Sequence, residues 1–358
     1  MFRILKKTLN ILLTLFGVVT IIFFLFNILP GDPAQMMLGQ NENSEQLELI
    51  KKKYGFDKPV LNQYLYYLND LSIISIHSKN PENISFLSEN KYNSFNLFST
   101  KNYKLEIKTP YLRESYQKNG LTVTEIIKNT LPNTIVLAVS SISIAIFLGL
   151  FLGIVSALYK NTWIDVSIQF FSTLGMSVPS FFSAIIFAWL FGYVLNEYTG
   201  LNMTGSLFEL DDYGEQMTLK LQNLILPSLV LGIRPVAVIS QMMRNSLLKV
   251  LKKKYITTAY AKGLSKIKVI QNHALKNSLN PVITALSGWF ASMLAGSVFV
   301  EYIFGWNGLG KEIVDALNKL DVPVLIGAVL TISVIFIMIN IFVDIIYKWL
   351  DPRIKIIN

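Results

Sequence analysis

Six apolar stretches, at about 9–29, 131–158, 164–195, 224–243, 282–302 and 324–349, are each long enough to cross the hydrocarbon core of a bilayer as a helix. With a rise of about 1.5 Å per residue, that crossing takes roughly 20 apolar residues. Hydrocarbon offers no water to unpaired backbone groups, so such stretches are confined to helices that satisfy their own N–H and C=O groups. Composition agrees: 52% of the 358 residues are hydrophobic and 15% charged, with a mean hydropathy of +0.45. The sequence predicts an all-α polytopic membrane protein with six transmembrane helices. Cysteine is absent, which excludes disulfides, thiolate metal sites and cysteine nucleophiles, and His77 and His273 are the two imidazoles.

Charge placement orients the spans. The 244–276 loop carries Arg244, Lys249, Lys252, Lys253, Lys254, Lys262, Lys266, Lys268 and Lys276, with no Asp or Glu. After the third stretch, Glu197, Glu209, Asp211, Asp212 and Glu215 face Lys220 alone. By the positive-inside rule the basic loop is cytoplasmic, as are both termini, and the +9 net charge reflects topology rather than nucleic acid. Arg3, Lys6 and Lys7 precede the first stretch, and no small-residue cleavage site follows it, so it reads as an uncleaved anchor. The polar 31–129 segment then forms a small extracytoplasmic domain. It opens with two helices: Ser44 caps one that ends at Gly55, and Pro59 opens one that gathers Val60, Tyr64, Tyr67, Leu68 and Leu71 on a face. Between 72 and 109 there is no dependable period.

Several spans carry features suited to a pathway that changes shape. Ser177-Val178-Pro179-Ser180 interrupts the third stretch, because Pro179 lacks an N–H and frees a carbonyl; Pro179 and Ser180 are pathway candidates beside the alternative of a static kink. Gly149 and Gly153, and Gly288, Ser292 and Gly296, have the small-residue spacing that lets helices approach closely. Arg234 sits mid-span, where it either meets an anionic group in an aqueous cavity or pairs with a neighbouring helix. Gln241 and Asp344, nearer the cytoplasmic surface, read as structural. No HExxH or GxSxG is present. Gly305-Trp306-Asn307-Gly308-Leu309-Gly310-Lys311 has P-loop spacing, but Glu312 replaces the hydroxyl that would hold magnesium, so this chain is not expected to bind nucleotide.

The basic loop has internal order: Tyr255 to Lys262 reads as a short helix, Gly263 as its left-handed cap, and Ser265 as the cap of a second helix with Ile267, Ile270, Ala274 and Leu275 on one side. Thr258-Ala259-Tyr260-Ala261-Lys262-Gly263-Leu264-Ser265, with His273-Ala274-Leu275-Lys276-Asn277-Ser278-Leu279-Asn280-Pro281, resembles the EAA loop of ABC importer permeases, in the version of the dipeptide, oligopeptide and nickel permease family. Thr257 stands where the general motif has Glu, and His273 and Lys276 where other subfamilies have Ile and Pro. Leu29-Pro30-Gly31-Asp32-Pro33, Tyr54-Gly55-Phe56-Asp57-Lys58-Pro59, Leu131-Pro132-Asn133-Thr134, Val178-Pro179-Ser180-Phe181, the 301–310 glycine segment and Asp351-Pro352-Arg353 extend the resemblance.

The resemblance implies a type I ABC importer permease core. It divides the chain into an anchor (1–30), an extracytoplasmic domain (31–129), a five-helix core (130–350) with a coupling loop at 246–281, and a cytoplasmic tail (351–358). Thr257, Thr258, Ala259, Gly263, Leu264 and Leu275 are then the surface that meets an ATPase. The expected partners are a second homologous permease, two cytoplasmic ABC ATPases that bind the ATP, an extracytoplasmic solute-binding protein, membrane lipid and a peptide. No cofactor is expected on this chain, and its place is the bacterial cytoplasmic (inner) membrane, with many passes. Nickel or another small solute is the alternative cargo. From a different class, the alternative is a membrane scaffold or sensor whose basic loop binds lipid or an unrelated partner.

Overall fold

The computed structural model describes residues 2–28, 31–38, 44–81, 83–86, 94–211 and 213–350. In chain order the elements begin with helices α1 (Phe2–Ile28), α2 (Pro33–Leu38), α3 (Ser44–Tyr54) and α4 (Val60–Leu71), then strands β1 (Ile74–Ser78), β2 (Ser94–Ser99) and β3 (Tyr103–Lys108). Next come α5 (Val123–Leu158), α6 (Trp163–Ser177), α7 (Ser180–Trp189), α8 (Asn196–Thr199), β4 (Phe208–Leu210), β5 (Met217–Leu219) and α9 (Gln222–Leu251). The chain continues through α10 (Lys254–Ala261), α11 (Lys266–Val269), α12 (Lys276–Ser278), α13 (Asn280–Phe304), α14 (Leu309–Asn318) and α15 (Val322–Leu350). Wider π-helical turns at Leu190–Val194 and Ile270–Leu275 follow α7 and α11. The Asp351-Pro352-Arg353 motif and part of Leu29-Pro30-Gly31-Asp32-Pro33 lie outside the described residues.

Helix content follows the apolar pattern, with differences that have physical causes. Among the described residues, four segments are long and apolar enough to cross a membrane: Leu9–Asn27, Val123–Leu158, Gln222–Leu251 and Val322–Phe342. Two bent pairs bring the number to six if each is one span: Trp163–Ser177 with Ser180–Val194, bent by 108°, and Asn280–Leu294 with Gly296–Phe304, bent by 51°. The 164–195 stretch is therefore not one straight rod. α5 begins well before Leu131, because Thr122 and Glu125 form a capping box: Thr122 N–H donates to Glu125 Oε2 (2.9 Å), and Glu125 N–H donates to Thr122 Oγ1 (3.2 Å). Pro132 then lies inside the helix rather than at its start.

The fold divides into two compact units, residues 1–129 with 312–331, and residues 130–311 with 332–358. In the first, Val19 and Phe23 of α1 pack with Tyr64 and Tyr67 of α4 and Ile326 of α15. Thr20 Oγ1 and Tyr64 Oη are 2.6 Å apart, fixing α4 beside α1. Asp321 accepts from Ser115 Oγ and from the backbone N–H groups of Tyr116 (3.1 Å) and Gln117 (3.3 Å), and Lys118 pairs with Glu312 at 2.7 Å.

The same unit holds an antiparallel sheet of order β1-β3-β2, an addition to the helical plan in the region without a readable period. Its polarity is inverted. Ser75, His77, Glu106 and Lys108 are buried, while Ile74, Ile76, Phe95, Phe98 and Ile107 are exposed. The register lines up Ile74 with Ile107 and Ile107 with Phe95, so the apolar residues share one open face. On the covered face, His77 Nδ1–H donates to Ser85 O (3.1 Å) and Nε2 accepts from Ser75 Oγ (2.9 Å). Desolvation holds this imidazole below the usual histidine range.

In the second unit α9 is the central helix, with Leu226, Val230, Ile239, Met243 and Leu247 buried along its length. The predicted small-residue contact is present where α5 meets it: a Cβ on Gly149 would fall 2.7 Å from Ile239 Cβ, and one on Gly153 would fall 2.6 Å from Ser240 O. In α13, by contrast, Gly288, Ser292 and Gly296 are exposed, with open space beside both glycines.

Candidate functional site

The loop between α9 and α13 folds as a knob set on the core of the second unit. α10 turns Ile256 and Ala259 inward, 1% and 7% exposed, into the cluster that also holds Leu247, Val250, Val269 and Ala274. The helix ends in a Schellman motif. Gly263 N–H donates to Tyr260 O (2.9 Å), Leu264 N–H donates to Ala259 O (3.3 Å), and Gly263 has φ +79°. No heavy atom lies within 4 Å of a Cβ built on Gly263, so the backbone angle rather than crowding calls for glycine. Ser265 has an extended backbone and starts α11, but its side chain makes no capping bond. The π-helical turn then shifts the face: Ile270 and Ala274 are buried, Leu275 is half-buried, and Ile267 points out, correcting the single apolar side expected for this helix.

A polar lock fastens the loop's stem. Arg244, near the end of α9, forms a bidentate pair with Asp165 of α6, Nε to Oδ1 and Nη2 to Oδ2 at 2.7 Å each. Ser156 Oγ (2.6 Å) and Asn161 N–H (2.9 Å) donate to the same carboxylate, which is 3% exposed. Four donors satisfy a charge that would otherwise be costly to bury. The lock ties together the end of α5, the turn after it, α6 and α9.

Ten residues earlier on α9, Arg234 lies beside the α6–α7 break. Its Nη2 is 3.4 Å from the carbonyl oxygen of Met176, a residue before Ser177 where α6 stops. Pro179 is extended (φ −61°, ψ 140°) and exposed, and Ser180 is half-buried as the first residue of α7. Arg234 is exposed and makes no ion pair among the described residues. The structure thus brings Arg234 and the Pro179–Ser180 break together, with the guanidinium donating to a carbonyl of the last turn of α6.

The glycine and lysine segment before α14 has different chemistry. Glu301, fully buried near the end of α13, turns its carboxylate onto the start of α14: Gly310 N–H donates to Oε2 at 2.7 Å and Lys311 N–H at 3.2 Å, while Ser297 Oγ donates to Oε1 at 2.8 Å. Leu309 N–H donates to Thr134 Oγ1 (2.8 Å), and the buried Trp306 donates Nε1–H to Asn133 O (3.1 Å). A helix N-terminus presents unpaired N–H donors, and here the chain supplies its own acceptor. Space confirms it: a Cβ on Gly308 would collide with the Glu301 carboxylate, and one on Gly310 would lie 2.7 Å from Val298 Cα.

Of the predicted loop residues, Thr257, Thr258 and Gly263 are exposed at the tip, Leu264 and Leu275 are half-buried, and Ala259 faces the core. Sequence reasoning missed Asp165 and Glu301. Their signal was an acid just inside an apolar stretch, three residues after Thr162 in one case and nine before Gly310 in the other.

Residues 149–356 match the family described as the binding-protein-dependent transport system inner membrane component, and residues 1–83 match the corresponding N-terminal family. The chain is 30% identical to the dipeptide transport system permease protein DppB of Alkalihalophilus pseudofirmus, covering 98% of each chain. It is 31% identical to the di/tripeptide transport system permease protein DppB of Pseudomonas aeruginosa, over 96% of this chain and 95% of that one. A solved structure of the MetNI methionine ABC transporter, inward facing, is similar in fold, with a TM-score of 0.51 at 13% identity over 64% of this chain and 97% of the other.

Proposed function

The chain belongs to the family of binding-protein-dependent transport system inner membrane components, and from that premise we propose that it carries di- or oligopeptides as one half of an ATP-driven importer. Similarity to dipeptide permeases along nearly the whole of both chains is the observation that carries the cargo class. As a permease of this kind the chain is a transporter subunit, with ATP hydrolysis on other chains. Its partners in this reading are a second, homologous permease, two cytoplasmic ATPases holding the ATP, and an extracytoplasmic solute-binding protein.

In the proposed cycle the basic loop is cytoplasmic, both termini lie on that side, and residues 31–129 form the outer domain. The tip of α10, with Thr257, Thr258 and Gly263 exposed, enters the ATPase surface. Ala259, Leu264 and Leu275 support it from the core side. Motion of the tip passes through Ile256 and the Arg244–Asp165 lock into α9 and α6. Arg234 and Arg244 lie about 15 Å apart along α9, so the same helix reaches the Pro179–Ser180 break. There Arg234 meets the peptide carboxylate as the spans shift between inward-open and outward-open states, a two-state shift biased by ATP.

Uptake of labelled dipeptide by cells carrying the full transporter tests this. Gly263→Val forces a β-branched residue into φ +79°, which distorts the tip while leaving the core in place. Uptake should fall to background with normal amounts of chain in the membrane. Wild-type uptake by that variant refutes the coupling role.

A further inference from the structure

A cavity of about 470 Å³ lies in the first unit, within the size range of small-molecule sites. Phe23, Phe26 and Asn27 of α1 form one wall, and Tyr54, Tyr66 and Tyr67 contribute to the rest. Three observations define what would fill it.

The first is depth. The apolar run Leu9–Asn27 covers about 28 Å as a helix, close to the thickness of the hydrocarbon core, and the cavity takes in its last turn. That level of a bilayer is where glycerol esters lie and where tyrosine rings gather. The second is charge. Each cation lining the cavity is matched: Lys51 with Asp32 (2.8 Å), Lys58 with Asp57 (2.9 Å) and Arg113 with Asp70 (2.7 Å). Among the described residues no surplus positive charge is left to select an anion. The third is an orphan group. Tyr67 is 1% exposed, its ring sits under the Arg113 guanidinium at 4.9 Å, and its hydroxyl has no hydrogen-bond partner among the described residues. Buried hydroxyls are rarely left so, and this one calls for an acceptor that the described residues do not supply. Burial also holds the phenol above its usual range, so it stays a donor.

We infer that this cavity binds the glycerol-ester region of a zwitterionic membrane glycerolipid, with the Tyr67 hydroxyl donating to an ester carbonyl and the tyrosine and phenylalanine rings enclosing the upper acyl chain. This site rests on α1 lying in a membrane and not on the peptide reading.

The test uses the assembled transporter in nanodiscs of palmitoyl-oleoyl-phosphatidylcholine that include a phosphatidylcholine with a diazirine near the acyl ester. After irradiation, adducts are mapped by mass spectrometry. Adducts are expected on Tyr66 and its neighbours in addition to the exposed α1 residues Leu12 and Ile21. Val60→Trp, at the exposed end of α4, should block the cavity and reduce the Tyr66 adducts to background while those on Leu12 and Ile21 persist. Tyr67→Phe should lower them about five-fold, the effect of one lost hydrogen bond. In lipid-free detergent Tyr67→Phe should melt no lower than wild type, because no partner among the described residues is lost. Adducts confined to α1, adducts unchanged by Val60→Trp, displacement by excess dipeptide, or a lower melting temperature for Tyr67→Phe would each overturn the inference.

Discussion

Two glycine-capped turns in the second unit begin alike and end in opposite chemistry. α10 closes on Gly263 at φ +79° and α13 on Gly305 at φ +65°, each with lysine nearby and a further helix beyond. Around Gly263 the space is open and the tip residues are exposed. Beyond Gly305, the N–H groups of Gly310 and Lys311 close on the Glu301 carboxylate, and Trp306 and Leu309 are buried. Glycine and lysine spacing does not by itself say whether a turn receives something from outside. The deciding fact is whether the chain already supplies the group that fits.

The contrast can be broken most strongly at Glu301. Glu301→Ala removes the acceptor of two backbone N–H groups and a serine hydroxyl in a fully buried site, and should cost about 3 kcal/mol or more, read as a lower melting temperature in detergent. A melting temperature equal to wild type would show that the nest does not depend on its internal carboxylate. Next in size is Gly310→Ala, which sets a methyl against Val298 Cα and should cost about 1–3 kcal/mol by the same measurement. The smallest effect belongs to the open turn. Gly263→Asn, a residue that tolerates the left-handed region, should change stability by less than about 1 kcal/mol and retain most dipeptide uptake, unlike Gly263→Val. Equal loss of uptake in both variants would mean that the tip requires the bare glycine surface and not only its backbone angle.

Much of this plan was readable from residues. The apolar runs located the long helices, Pro179 located the break, and Gly263 the Schellman turn, because each of these signals acts locally on the backbone. The Gly149 and Gly153 spacing anticipated a close helix contact but could not name Ile239 and Ser240 as the surfaces met. The 72–109 sheet escaped because its strands are only five or six residues long, too short for a firm period, and its inner face was unreadable because Ser75 and His77 turn in while Ile74 and Ile76 turn out. Asp165 and Glu301 escaped for another reason. Their value lies in donors from other helices or across a turn, and no local pattern announces those. The exposed glycines of α13 show the converse, since their spacing promised a contact that does not form within the described residues of this chain.

The Asp321 carboxylate has a consequence in time. Its donors, Ser115 and the amides after it, precede it by about 200 residues. A ribosome adding 5–20 residues per second takes about 10–40 s to cover that interval. Through that interval the 115–117 turn is synthesised but lacks its acceptor, so the first unit can close only after nearly every helix of the second has been made. A nascent chain arrested before residue 321 should therefore be open to protease near Ser115, and the same site should become protected once the last helix has emerged.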